Sequence, residues 1–211
     1  MGTCHRLMVC GFFAAVMMSC AGKGEVVVDI PAKQSAVMAT SPISDGLRVA
    51  VDPFEDSRPQ KFRLGIRSHL RGGESYFDVP GGSSSEAATQ ALVQFLNSTG
   101  WSAHIVRVGL GSQAADLTIS GHVLSLSVDA KSRVGSTKLM TGSKIVIRVL
   151  NHADGNVVRM TLKGSGSDSV WWFEPEDAQQ LVNDVLNDSF NQLLHSTRVE
   201  GKVVRLREQA G

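Results

Sequence analysis

Between Asp116 and Lys131 the apolar residues change sides partway along what otherwise reads as a single strand. Leu117 and Ile119 hold odd positions, whereas Leu124, Leu126, Val128 and Ala130 hold even ones. Side chains of a strand alternate between its two faces, so one buried face cannot survive this change unless the strand gains a residue. A β-bulge supplies that residue, restores a single buried face and bends the strand, and Gly121-His122 is the expected place for it. Two further alternating runs follow, Ile145-Ile147-Val149 and Val158-Met160-Leu162. Asp154-Gly155 lies between them, and this dipeptide flanked by alternating runs is a strong hairpin signal. Three consecutive antiparallel strands are therefore expected.

The elements around this meander alternate between periods. Leu47, Val49 and Val51 make a short strand that Pro53 ends. Ser83 and Glu86 have capping-box spacing, and Ala88, Ala91, Leu92, Phe95 and Leu96 then recur at helical spacing up to Gly100. Trp101 leads into a short strand over Ser102–Val108. The final helix starts near Pro175, among Glu174, Glu176 and Asp177, whose charges suit the positive end of a helix dipole. Its apolar face is Ala178, Leu181, Val182, Val185, Leu186, Phe190, Leu193 and Leu194. Its other face holds amides and acids with no Lys or Arg, which suits either plain solvation or a hydrogen-bonding contact. Arg58–Gly82 has no sustained period and reads as a long surface excursion. The order predicts an α+β fold: a two-layer sandwich whose mixed, mostly antiparallel sheet of about four or five strands carries both helices on one face.

The start of the chain has a different character. His5 and Arg6 precede Leu7–Met18, a run without a charge, and Ser19, Cys20 and Ala21 follow it. As a helix this run covers about 18 Å, against about 30 Å of bilayer hydrocarbon, so it is too short for a comfortable span and has the parts of an export signal. Met17-Met18-Ser19-Cys20 resembles the lipobox of bacterial lipoproteins. That resemblance implies cleavage before Cys20 and acylation of its sulfur and new amino group; several acyl chains hold a protein far more firmly than one. Ordinary secretory cleavage near Ser19 or Ala21, leaving the cysteine unmodified, is the alternative. In the lipoprotein sorting pattern, Ala21 after the cysteine points to the outer membrane. The chain has 3 cysteines, Cys4, Cys10 and Cys20, so cleavage leaves no partner for an internal disulfide. The expected organisation is a signal peptide over 1–19, a lipidated tether over 20–45, an α+β domain over 46–197 and a tail over 198–211.

Removing the leader takes away Arg6 and no acid, so the 20 acidic residues are balanced by as many Lys and Arg. A neutral domain lacks the basic excess that nucleic acid selects. No phosphate-binding glycine loop and no G-x-S-x-G elbow is present, and no two of His69, His104, His122, His152 and His195 have metal-pair spacing. No catalytic residue, metal or cofactor is therefore assigned. Asp52, Glu55 and Asp56 form a carboxylate cluster that suits a strand-ending turn. It would support an envelope hydrolase only if it shared a concave pocket with His104 or His122.

Two features point to a contact surface. Arg58, Lys61, Arg63, Arg67 and Arg71 form an acid-free basic stretch suited to solvent, anionic headgroups or an acidic partner. Trp171 and Trp172 are adjacent, and in extended chain one is expected to plug the seam between sheet and helix while the other faces out. Arg63, Arg67, Arg71, Trp171 and Trp172 are the candidate partner contacts.

The segments "GLRVAVDPFEDSR", "ALVQFLNSTGW", "ADLTISGHVLSL" and "DAQQLVNDVLNDSF", together with the Cys20 motif, resemble the YajG-like bacterial lipoproteins over nearly the whole chain. The resemblance implies an envelope lipoprotein without catalytic residues to transfer; Arg58–Gly82 and the tail Val199–Arg207 depart from it. The expected function is a lipid-anchored, periplasm-facing, non-enzymatic binding or assembly accessory module of the outer membrane. Its expected partners are the bilayer, through the acyl chains, and another envelope protein. A glycan- or lipid-binding module is the alternative.

Overall fold

The computed structural model describes residues 25–27, 46–79, 83–106 and 115–207; Cys20 lies outside them. Its frame is the expected meander, on a larger scale. Strand β7 (Leu117–Arg133) runs antiparallel to β8 (Ser136–Asn151), which runs antiparallel to β9 (Val157–Val170). Asp154-Gly155 does close the β8–β9 hairpin, with Gly155 at φ +71°. The β7 ladder shifts register between Val123 and Ser125, leaving Leu124 as the inserted residue. Burial accordingly passes from odd positions, ending at Val123, to even ones, beginning at Leu126.

The bulge thus exists, but three residues beyond the glycine expected to host it. Gly121 has another reason to lack a side chain. A Cβ there would come within 2.9 Å of both the Phe54 ring and the Val146 carbonyl oxygen.

The free edge of β7 is shared by three short parallel strands in succession. These are β2 (Arg48–Val51) at Leu117–Ile119, β3 (Glu55–Asp56) at His122–Val123 and β4 (Gly65–Ser68) at Ala130–Lys131. Beyond β2 lies β6 (Ser102–Ile105), parallel to it. Beyond β4 lies β5 (Glu74–Asp78), antiparallel to it, and then β1 (Glu25–Val27), parallel to β5. Among the described residues the sheet therefore has nine strands and many parallel pairings, in place of the four or five mostly antiparallel strands expected. Arg58–Gly82 accounts for two of the additional strands. It is not a surface excursion: it supplies β4 and β5, and it buries Leu64, Phe77 and Val79.

Both helices do cover one face of the sheet. In α1 (Ser84–Ser98) the Ser83 hydroxyl accepts the Glu86 N–H at 3.2 Å, and Ala88, Ala91, Leu92, Phe95 and Leu96 are buried. In α2 (Pro175–Ser196) the Asp177 carboxylate accepts the Glu174 N–H at 2.8 Å, and Ala178, Val182, Val185, Leu186, Phe190 and Leu193 are buried. The Phe95 and Phe190 rings meet at 5.7 Å and join the two helices. Close seating of α2 depends on β9: a Cβ on Gly164 would collide with the Ser189 hydroxyl and come within 2.6 Å of the Val185 carbonyl oxygen. No helix among the described residues is long and apolar enough to cross a membrane.

The expected tail is folded. Strands β10 (Thr197–Glu200) and β11 (Val203–Leu206) form a hairpin that seats Val204 in the core. The Asn151 amide clasps it, accepting the Val204 N–H at 2.7 Å and donating to the Val204 carbonyl at 3.2 Å. A buried amide that satisfies a strand on both sides avoids the cost of unpaired polar groups.

Candidate contact surface at one end of the sheet

Strand direction gathers the candidate residues. Strand β4 runs parallel to β7 and antiparallel to β5, while β9 runs parallel to β7 across β8. One end of the sheet therefore holds the β4–β5 turn with Leu70 and Arg71, the β7–β8 turn with Val134, and the exit from β9 with Trp171 and Trp172. Trp171 is 87% exposed, Trp172 83% and Val134 86%, and Leu70 is also exposed. A cleft of about 470 Å³ opens among Arg67, Arg133, Ser136, Trp171, Trp172 and Phe173. Trp171 lies across the hairpin turn, its ring carbon 3.7 Å from where a Cβ on Gly135 would stand.

Both tryptophans face out, which corrects the expectation that one would plug the seam. Phe173 takes that place: it packs against the core and meets the Phe77 ring at 6.0 Å. The Arg67 guanidinium lies 4.0 Å above the Phe173 ring and is within 3.4 Å of the Ser132 hydroxyl. Burial pushes its pKa down, as expected for a cation held partly away from water. Phe173 therefore links the interior to the surface cation by a cation–π contact.

The other arginines of the stretch divide. Arg63 stacks on Tyr76 with 3.5 Å to the ring centroid, and Arg71 is exposed in the β4–β5 turn. Arg58 is buried, against the expectation of a solvated basic loop. Its guanidinium donates to the Asp56 carboxylate at 2.9–3.2 Å and to the carbonyls of Lys61, Arg63 and Leu126 at 3.0–3.3 Å. Burial alone would raise the Asp56 carboxyl, but the bonds from Arg58 outweigh it and hold the group below its usual range. Asp56 and Arg58 are a structural pair that shapes the entry to β4.

Of the carboxylate cluster, only Glu55 reaches a histidine. Its Oε2 lies 2.9 Å from His122 Nδ1, a contact set by the pairing of β3 with β7, and both side chains are at least half exposed. His104 is elsewhere, opposite Ala50 on the far side of β2. Among the described residues no group of three or more His, Cys, Asp and Glu could hold a metal.

Leu70 and Val134, which complete the apolar end, were missed by sequence reasoning. Each is a lone apolar residue beside arginine or glycine, and only the turns that carry them reveal their exposure. Phe62, 89% exposed beside Arg63, escaped notice in the same way.

No family model and no curated protein matches the chain. Among solved structures, it is similar to a Xanthomonas campestris protein of the DUF330 family at 11% identity, covering 80% of this chain and 91% of that one, with a TM-score of 0.50. It is also similar to the PelC dodecamer of Paraburkholderia phytofirmans (17% identity, 70% and 90% of the two chains, TM-score 0.39). A third likeness is to the lipoprotein GNA1162 of Neisseria meningitidis (12% identity, 70% and 98%, TM-score 0.34). At this identity the first likeness is one of fold alone, and the looser two bear no further weight.

Proposed function

We propose that the protein is a lipid-anchored, non-enzymatic binding or assembly accessory module of the bacterial cell envelope. It is fixed to the outer membrane by acyl chains on Cys20, faces the periplasm and is of the YajG-like kind. The observation that carries the reading is the pair of exposed tryptophans held, with Val134, Arg67 and Arg133, at one end of the sheet. Large exposed aromatics with arginine are the usual anchors of a contact, and the extended meander presents them in fixed positions. The Cys20 motif and the preceding apolar run support the anchor. Metabolic labelling with a palmitate analogue tests it: label should enter the wild type and be absent from Cys20→Ser. In-cell cross-linking with mass spectrometry tests the accessory role and should recover one recurrent envelope neighbour, whereas a scatter of abundant proteins would end it.

The cleft favours a second reading. Its two indole rings and the Ser136 hydroxyl, with two arginines beside them, suit a sugar ring as well as a protein side chain. Substituting Trp171 or Trp172 would then weaken pull-down of envelope polymers by an intact fold.

A further inference from the structure

We propose that the end of the sheet bearing Leu70, Val134, Trp171 and Trp172 lies flat on the bilayer that holds the acyl chains of Cys20. This rests on the lipid-anchor reading and names what that end touches.

The argument starts from chain length. Glu25 pairs with Tyr76 in a parallel ladder, so β1 begins at the end where β5 begins, on the side of the β4–β5 turn. Only residues 21–24 separate Cys20 from Glu25, and at full extension this stretch spans at most about 18 Å. Through β5 and β4, Tyr76 stands level with about Asp129 on β7. From there the near end of β7, at Arg133, is about 13 Å along the strand, and the far end, at Leu117, is about 40 Å at 3.3 Å per residue. At full extension the anchor can reach past the near end, and even then it falls well short of the far one. The lipid and the tryptophans therefore share one end of the molecule.

The chemistry of that end suits the place. Four of the large apolar side chains exposed on the described surface, Leu70, Val134, Trp171 and Trp172, stand on its turns and exits. Indole rings favour the headgroup layer, where one edge is apolar and the other wet. Arg67, Arg71 and Arg133 stand among them to meet lipid phosphates. Glu74 and Glu174 are exposed acids at the same end, so shallow insertion of the apolar tips carries more of the contact than net charge. A bilayer explains why these side chains are displayed on several separate turns at one level: they meet a plane.

The test uses full-length lipidated protein on vesicles of phosphatidylethanolamine and phosphatidylglycerol, with brominated lipid as a short-range quencher. Trp101 is buried in the core and serves as an internal reference, and the chain has no tryptophan besides these three. On vesicles, Trp171 and Trp172 should shift to the blue, lose most of their emission to the brominated lipid and become protected from aqueous acrylamide. The Trp171→Phe, Trp172→Phe double variant should float equally well and show none of these changes. Flotation of the wild type with both tryptophans still open to acrylamide would overturn the orientation and leave the anchor standing. Protection that appears only when an envelope polymer or a protein is added would assign the end to that partner instead. Failure of the wild type to float would remove the anchor reading, and the orientation with it.

Discussion

Asp116 accepts a hydrogen bond from Lys202 Nζ at 3.0 Å, tying the residue before β7 to the turn of the C-terminal hairpin. The same carboxylate receives the Arg48 backbone N–H at 3.1 Å and its guanidinium at 3.3 Å. Chiefly because of the Arg48 side chain, and despite burial, its carboxyl is held well below the usual range. A carboxyl depressed in the folded state stabilises fully above its unfolded pKa of about 3.9 and loses that contribution as pH falls further. Asp116→Asn should therefore cost about 1–3 kcal/mol at neutral pH. The gap to the wild-type curve should start to narrow below about pH 4 and close only as pH falls through the depressed folded value, in urea titrations across pH. A constant gap down to low pH would mean the site acts by shape alone.

Arg58 and Asp56 make the second prediction. Breaking a buried pair strands the remaining charge, so Arg58→Met should cost about 3 kcal/mol in urea unfolding. Arg58→Lys should recover little of this, because an ammonium cannot serve the carboxylate and three carbonyls that the planar guanidinium reaches. Full rescue by lysine would show that charge alone matters there.

What was legible in the sequence was local. Both helices carry their caps and stripes within a few residues, and the meander shows its alternation, its hairpin dipeptide and its change of parity. The bulge at Leu124, three residues past Gly121, shows where local reasoning slips, since that glycine answers to Phe54, more than sixty positions away in the chain. Strands β4 and β5 were illegible for the same reason. Four or five residues each, they are strands because the edge of β7 and the buried Phe77 make them so, and neither has a long enough run to show a period. The candidate contacts Arg67, Trp171 and Trp172 were legible by type. Their meeting in one cleft was not, because it follows from strand directions.

The glycines facing α2 give a sharper packing test. Gly164→Val would drive a branched side chain into the Val185 backbone and should cost about 3 kcal/mol or prevent folding. Gly142→Ala is the control on the neighbouring strand. Its Cβ would meet only the Gly164 carbonyl oxygen at 3.8 Å, and the change should stay within about 0.5 kcal/mol. Equal effects at the two positions, read by thermal unfolding, would refute the close seating of α2 on β9.

Phe173 and its two tryptophan neighbours make the final contrast. Three aromatic residues in a row differ in what they touch: Phe173 packs on Phe77 and under Arg67, whereas Trp171 and Trp172 face outward. Truncating an exposed side chain changes stability little, whereas truncating a packed ring removes apolar burial and leaves a void. Trp171→Ala and Trp172→Ala should each shift stability by no more than about 0.5 kcal/mol. Phe173→Ala should cost about 2 kcal/mol, short of a fully buried ring because Phe173 is only half-buried. Emission supplies an independent reading. With Trp171 and Trp172 both replaced, the remaining signal comes from buried Trp101, so it should lie further to the blue and resist acrylamide in the protein free in solution. A tryptophan variant as damaging as Phe173→Ala would mean that one of the indoles, and not Phe173, closes the seam between sheet and helix.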